Sequence, residues 1–173
     1  MNSNSEVKLR QFRDTLELAG KGYIFIGIWN VIKIFMTYTM QQSLMDELIS
    51  DLKAQELSSK EINATLIFAF AFVSLFIIMI HFYIGLGAIK YAREKSVKKG
   101  YLVLSVISLV ITAGLLPLYF LGADYGGNGV DDKDIASILV DLTMIFIFVD
   151  ILYSTHMIKK HSATADDKEA IAG

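Results

Sequence analysis

Long apolar blocks separated by short polar segments dominate the pattern of this chain. Four blocks, at about residues 22–40, 62–89, 101–121 and 135–158, each supply a predominantly apolar stretch. A helix needs about 20 such residues to cross ~30 Å of hydrocarbon. We therefore predict an all-α integral membrane protein in which residues 1–173 form one domain, a transmembrane four-helix bundle.

The polar segments contain further helix signals. Apolar residues in SLMDELISDLKAQEL recur at helical spacing, which predicts a short amphipathic helix or an extension of the first span. Ser58-x-x-Glu61 matches a capping box, in which the Ser hydroxyl and the Glu carboxylate bind free backbone N–H groups. The second spanning helix is therefore expected to begin there. Asp131 or Asp132 is the expected N-cap of the fourth.

Residues 1–21 form a polar segment before the first apolar block. Leu9, Phe12 and Leu16 share one face of the helix that EVKLRQFRDTLELAG predicts, and basic residues surround them. Such a cytoplasmic amphipathic segment can lie along an anionic inner leaflet, or it can lengthen the first span. No A-x-A-like cleavage site follows the first block, so we do not expect a removable signal peptide.

Basic residues are concentrated in alternate polar segments. Residues 1–21 carry four Lys or Arg, the second connection carries five, and residues 159–173 carry three Lys. The first and third connections together carry three Lys against nine acids. Because short cytoplasmic segments carry an excess of Lys and Arg, we predict cytoplasmic N and C termini and a cytoplasmic tail at 159–173. Short connections and the lack of any segment that resembles an organellar address favour a bacterial plasma membrane.

Composition and net charge narrow the chemistry. The chain is 54% hydrophobic and contains no cysteine, which excludes thiol redox chemistry, disulfides and thiolate metal sites. The formal net charge is -2, and positive charge is segregated by membrane side instead of being gathered into a groove. Membrane lipids are thus an expected partner, and nucleic acid is not.

Polar and ionisable residues inside the apolar blocks are the candidate functional groups. They are Asn30, Lys33, His81, Asp141 and Asp150. A Lys at the centre of a span costs roughly 2.5 to 3.5 kcal/mol on an insertion scale, so such residues need a partner or a function. The most economical arrangement pairs Lys33 with Asp141 or Asp150 and places His81 near Asp150.

The two acids of the fourth spanning helix, Asp141 and Asp150, point in nearly opposite directions. Their separation of nine residues turns a helix by about two and a half revolutions. One of them must face a second subunit or another protein, unless the shallower Asp141 reaches the outer interface. We therefore expect a homo-oligomer or a complex with another membrane protein.

Small polar residues mark the predicted helix-packing faces. Ser105, Ser108 and Thr112 share one stripe of the third spanning helix, where small side chains permit close packing in lipid. The first and third spans also begin alike, in KGYIFIGIWNVIKIF and KGYLVLSVISLVITA. This similarity predicts a parallel repeat of two helices, although a basic residue beside Tyr is also typical of an interfacial anchor.

Catalytic and cofactor motifs do not occur in the sequence. It contains no H-E-x-x-H, no G-x-S-x-G and no phosphate-binding Gly loop, so we do not expect an enzyme. His156 and His161 are five residues apart and lie on different helix faces, and a haem between His81 and His156 would join residues at different depths. No metal or cofactor is predicted.

Two functions remain for the polar residues inside the spans. The first is a noncatalytic membrane subunit or interaction component, in which buried Lys and Asp pairs fix helix association. The alternative is a small ion- or proton-coupled transporter or channel that uses Lys33, His81, Asp141 and Asp150. A small ion is the partner in that second case.

Overall fold

A computed structural model of the chain describes residues 3–40, 42–53, 58–95, 99–126 and 132–172. Within these ranges it describes the side chains of residues 6–36, 39, 45–46, 48–53, 58–95, 99–117, 135 and 137–162. The described residues are helical apart from short turns, and none of them lies in a strand. The prediction of an all-helical chain is therefore confirmed.

Five helices follow one another along the chain. They are α1 (Ser3–Met40), α2 (Gln42–Lys53), α3 (Ser59–Ala92), α4 (Gly100–Gly126) and α5 (Asp132–Ala172). Four of them, α1, α3, α4 and α5, are long and apolar enough to cross a membrane, judged by length and composition. The candidate spans are Glu6–Met36, Ser59–Ala92, Gly100–Pro117 and Ser137–Ser162. Four long apolar helices in a bundle were expected from the sequence.

The first helix begins well before the apolar block that predicted it, because residues 3–21 continue into α1 without a break. Phe12 lies edge-on to the ring of Tyr153 at 5.8 Å and stacks on the ring of His161 at 5.9 Å. Leu16, one turn further along, is completely buried. The apolar face of this segment therefore packs on α5, which extends to Ala172.

The capping box predicts the start of α3 correctly. The backbone N–H and the hydroxyl of Ser58 donate to a Glu61 carboxylate oxygen at 2.8 and 2.7 Å, and Glu61 N–H donates back to Ser58 Oγ at 3.4 Å. At the next predicted helix start, α5 begins at Asp132, whereas Asp131 and the side chain of Asp132 lie outside the described residues.

Contacts within the chain divide it into two compact units. The first consists of Met1–Tyr23 and Tyr83–Gly173, and the second of Ile24–Phe82. The second unit contains the amphipathic helix α2, whose buried Met45 packs with Ile62 and Leu66 of α3. The largest fully buried side chains of the first unit are Leu16, Tyr23, Ile84, Tyr101, Phe148 and Ile151.

Few residues of the four candidate spans are buried inside the chain. Within the most apolar window of each span, only 11 to 28% of the residues are buried inside the chain. A helix of a water-soluble bundle instead buries its apolar stripe and exposes its polar face. The outer surface of these helices therefore has the composition that suits hydrocarbon.

Replacing Ser58 with Ala should fray the beginning of α3, because loss of an N-cap hydroxyl costs about 1 kcal/mol. Amide hydrogen exchange in the first turn of α3 would accelerate, whereas Lys60→Ala, an exposed change in the same turn, would leave it unchanged. Equal exchange in the two variants would show that the capping box does not stabilise this helix start.

Candidate functional site

The predicted polar residues differ in their exposure. Lys33 and Asp150 lie on the surface of the chain, Asn30 and Asp141 are half-buried, and His81 is buried. Asn30, Lys33 and His81 belong to the second unit, and both acids belong to the first. Pairing of Lys33 with either acid, and of His81 with Asp150, therefore joins residues of different units and stays a prediction.

The ionisable residues also occupy different positions along their candidate spans. Lys33 lies three residues before the end of Glu6–Met36, and Asp141 lies four residues after the start of Ser137–Ser162. Asp150 lies at the middle of that same span. Within the described part of the chain, the side chain of Asp150 makes no hydrogen bond or ion pair. It is thus the acid that is both central in its span and outward-facing.

His81 is part of a tight helix contact in the second unit. Its Nδ1 lies 2.8 Å from the carbonyl oxygen of Ile77, one turn earlier in α3. A Cβ placed on Gly27 of α1 would lie only 2.5 Å from the Cβ of His81, so the absence of a side chain there permits the contact. This geometry is typical of a packing residue in a close helix pair.

Two buried tyrosines that the sequence analysis did not single out hold the core of the first unit. The ring of Tyr23 lies 4.9 Å from that of Phe148, and its hydroxyl is hydrogen-bonded with Ser108. The hydroxyl of Tyr101 lies 3.3 Å from Thr155 Oγ1. Both rings are buried inside the first unit, and the shared Lys-Gly-Tyr was the signal that could have identified them.

The predicted stripe on α4 faces this core. Ser105 is completely buried and donates from its hydroxyl to the carbonyl oxygen of Tyr101 at 2.8 Å. Ser108 and Thr112 are half-buried. At Gly87 of α3, an added Cβ would lie 2.6 Å from the Cβ of Tyr101, so small residues bring α3 and α4 together there.

The exposure of side chains follows the internal repeat that the sequence predicts. Residues 22–36 of α1 and 100–114 of α4 agree in exposure class, buried, half-buried or exposed, at fourteen of fifteen positions. The following long helices agree similarly, since residues 70–88 of α3 and 137–155 of α5 match at sixteen of nineteen. The pair α1–α3 and the pair α4–α5 thus present equivalent faces.

Contacts in the first unit support the same equivalence. Gly22 of α1 faces Ile147 of α5, whose Cδ1 would lie 3.5 Å from an added Cβ. Gly100, the residue of α4 equivalent to Gly22, faces Tyr83 of α3. Each helix pair therefore places a Lys-Gly-Tyr glycine against the long helix of the other pair, as a parallel repeat requires.

An ionic cluster joins α1 to the end of α3. Arg93 donates two hydrogen bonds to the carboxylate of Glu17, at 2.7 and 3.1 Å, and Lys21 lies 2.7 Å from the same carboxylate. The contacts with Glu17 raise the pKa of Arg93 above its usual value. Arg13 forms an ion pair with Glu94. These exposed pairs fix contacts between helix ends more than they add stability.

Glu94 holds an unusual backbone conformation where α3 ends. Its φ is 61°, in the left-handed region that favours glycine. Its N–H donates to the carbonyl of Tyr91, and Lys95 N–H donates to the carbonyl of Lys90, at 3.2 and 3.0 Å. This is a Schellman motif with Glu in place of the usual Gly. The Glu94 carboxylate contributes the ion pair with Arg13 that glycine could not make.

One face of α5 is exposed along most of the candidate span. Its residues follow the spacing of three and four that forms a coiled-coil seam: Leu139, Leu142, Phe146, Val149 and Tyr153. We call these five residues the α5 seam. Asp150 is exposed beside it, next to Val149. An outward-facing acid therefore lies beside an exposed row of apolar residues with coiled-coil spacing.

Asp150 has no acidic counterpart at the equivalent position of α3. When residues 70–88 of α3 are aligned with residues 137–155 of α5, Tyr83 is the residue that corresponds to Asp150. The side chain of Tyr83 is also exposed. The α3 residues equivalent to the seam are Phe72, Leu75, Met79, Phe82 and Leu86, all exposed and apolar. The long helices share one packing pattern, yet only α5 has an acid at this position.

Neither a candidate metal site nor a similar known protein indicates the function of this chain. Among the described residues, no three His, Cys, Asp or Glu side chains lie in an arrangement that could hold a metal ion. His156 is exposed, and His161 stacks on Phe12. No protein-family model, curated protein or solved structure matches the chain. Proposals about its function rest on the chain's own geometry.

Replacing Gly27 with Ala should destabilise the protein by about 1 to 3 kcal/mol, because the new methyl group overlaps His81 in a packed contact. Gly22→Ala is the matched control, since its methyl group would make an ordinary contact at 3.5 Å and alanine favours the helix. Thermal unfolding in detergent followed by circular dichroism measures both. A Gly27→Ala protein as stable as Gly22→Ala would contradict the close α1–α3 contact.

Proposed function

We propose that the chain is a noncatalytic multi-pass membrane protein that acts as a subunit or interaction component of a membrane assembly. One observation carries the proposal: Asp150, exposed and without a described partner, lies in the middle of a candidate span whose outward surface is apolar. An acid in hydrocarbon is costly unless another group pairs with it. That partner has to come from outside the described part of the chain.

Insertion into a membrane is supported by the four long apolar helices and by their outward side chains. The N and C termini are proposed to be cytoplasmic, because the basic segments alternate with the acidic ones along the chain. A bacterial plasma membrane is the proposed location, since the connections are short and no organellar address is evident.

Polar pairs within the spans are proposed to fix helix association. If successive spans alternate in direction, the end of the α1 span and the start of the α5 span lie on the same side of the membrane. Lys33 and Asp141, which occupy those two places, then form the favoured pair. Asp150 is left to another protein, which agrees with the opposed directions of the two acids on α5.

A transporter or channel built on the same residues has less support. Such a relay needs ionisable groups that face a shared path for a proton or an ion. Lys33 and Asp150 instead lie on exposed surfaces of their units, and His81 packs against Gly27 with Nδ1 near a backbone carbonyl. These positions favour association between helices over conduction.

Orientation can be tested with single cysteines, because the chain has none of its own. Ser96→Cys and Asn128→Cys place a thiol in the basic second connection and the acidic third connection. In right-side-out vesicles, an impermeant maleimide should label Cys at 128 directly and Cys at 96 only after lysis. The unmodified chain controls for nonspecific labelling, and the opposite pattern would contradict the proposed topology.

Assembly and transport respond differently to loss of the central acid. Asp150→Asn should reduce cross-linking between the chain and other proteins in its native membrane by about tenfold, because a charge pair is lost. Asp150→Glu, which keeps the negative charge at the same position, is the matched control. The cross-linker is a photoreactive residue at exposed Val149, compared with buried Ile151.

The same variants, purified and placed in liposomes, distinguish the transporter. Proton flux through the unmodified chain should not exceed that of empty liposomes, and Asp150→Asn should leave it unchanged. Flux that depends on Asp150, together with cross-linking unaffected by the substitution, would contradict an assembly role and support conduction.

A further inference from the structure

We propose that the α5 seam docks a transmembrane helix of a different protein, and that this helix carries a Lys or Arg at the depth of Asp150. The inference rests on the proposed membrane function and specifies the partner's chemistry. It combines three observations: the spacing of the seam, the position of Asp150 and the comparison of α5 with α3.

The spacing of the seam indicates a helical partner. Leu139, Phe146 and Tyr153 are separated by seven residues each, and Leu142 and Val149 lie between them in the same register. Two helices that cross at a small angle interdigitate side chains at this spacing. The seam residues are 37 to 69% exposed, and only at one end does the ring of Tyr153 also meet Phe12, at 5.8 Å. Most of this surface is therefore left open by the described part of the chain.

Comparison of α5 with α3 indicates that Asp150 serves recognition of a partner and not the packing of its own helix. If the acid served the packing of its own helix, the equivalent position of α3 would be expected to hold a similar group. Tyr83 stands there, and its ring remains exposed at 51%. Asp150 therefore distinguishes two otherwise similar outward faces, which is what recognition of a specific partner requires.

Charge complementarity determines the kind of partner. A helix laid along the seam would bring its central residues next to Asp150, and a Lys or Arg there would neutralise the acid in a medium that hydrates neither group. A helix with only apolar residues would leave the carboxylate uncompensated. A midspan cation is therefore the feature by which this surface would select its partner.

A second copy of the chain does not supply that cation. Two seams placed face to face would bring Asp150 against Asp150, which sets like charges together. Counted from the middles of the apolar blocks 22–40 and 135–158, Lys33 lies two residues and Asp150 three to four residues toward the C-terminal end of its helix. If the two spans run in opposite directions, Lys33 and Asp150 therefore differ in depth by about 8 Å.

The test uses the full chain in phosphatidylcholine liposomes with synthetic transmembrane probes. Each probe is a leucine–alanine helix with a fluorophore at one end and Lys, Gln or Leu at its centre. A central position keeps the same depth whichever way the probe inserts. Energy transfer to an acceptor on Ser96→Cys reports binding, because that cysteine is unique in the chain.

We expect the Lys probe to bind about tenfold more tightly than the Gln or Leu probe. Asp150→Asn should abolish this preference, and Asp150→Glu, which keeps the negative charge, should preserve it. Phe146→Ala should weaken binding of the Lys probe by removing a seam side chain, whereas Val110→Ala, at a 65% exposed position of α4, should not.

Two results would overturn the inference. One is equal binding of the three probes, or a Lys preference that survives Asp150→Asn. The other is disulfide cross-linking between purified copies of Phe146→Cys, which would make a second copy the occupant and leave the proposed assembly function standing. If the full chain is instead removed from its native membrane by alkaline carbonate, the proposed membrane function itself fails.

Discussion

Close approach of helix backbones is the constraint on which this structure depends. Between helices in lipid there is no hydrophobic driving force, because acyl chains are as apolar as leucine, so small residues and hydrogen bonds must hold the helices together. The chain uses both. Gly20 lies so close to α3 that an added Cβ would be 2.8 Å from the carbonyl oxygen of Gly85, and Gly27 and Gly87 make similar approaches. Buried hydroxyls on Tyr101 and Thr155 add a polar contact between α4 and α5.

The close approach of helix backbones also explains why large apolar side chains face outward. Helices that meet over glycine and serine leave their large apolar side chains to face the surroundings, as the low burial of all four candidate spans shows. On such a surface an ionisable group is the exception that needs an explanation. The repeat of α1–α3 in α4–α5 provides one, since it shows which outward residues are common to both pairs. Asp150 has no acidic counterpart on α3, where the exposed Tyr83 stands at the equivalent position.

Much of this architecture could be predicted from the sequence. The lengths of the apolar blocks predicted the four long helices, and the capping box of Ser58 and Glu61 predicted the start of α3. The repeated Lys-Gly-Tyr predicted that α1 and α4 present equivalent faces. Helix ends were less predictable, because Phe12 stabilises the extension of α1 through contacts with Tyr153 and His161, which are distant in sequence. Burial of individual polar residues was least predictable. Helical periodicity shows which residues share a face, but not whether that face meets another helix, and so Lys33 and Asp150 proved to be exposed.

In the isolated chain, the α5 seam should face hydrocarbon, while the opposite side of α5 packs against the rest of the chain. Spin labels on single cysteines along residues 139–158 of the full chain in nanodiscs test it directly, through collision with oxygen, which concentrates in lipid, and with a water-soluble nickel complex. The account predicts high oxygen and low nickel accessibility at Leu139, Phe146 and Val149, with protection from both at Ile151 and Ile158. High nickel accessibility along the seam, or equal oxygen accessibility on the two sides of the helix, would contradict it.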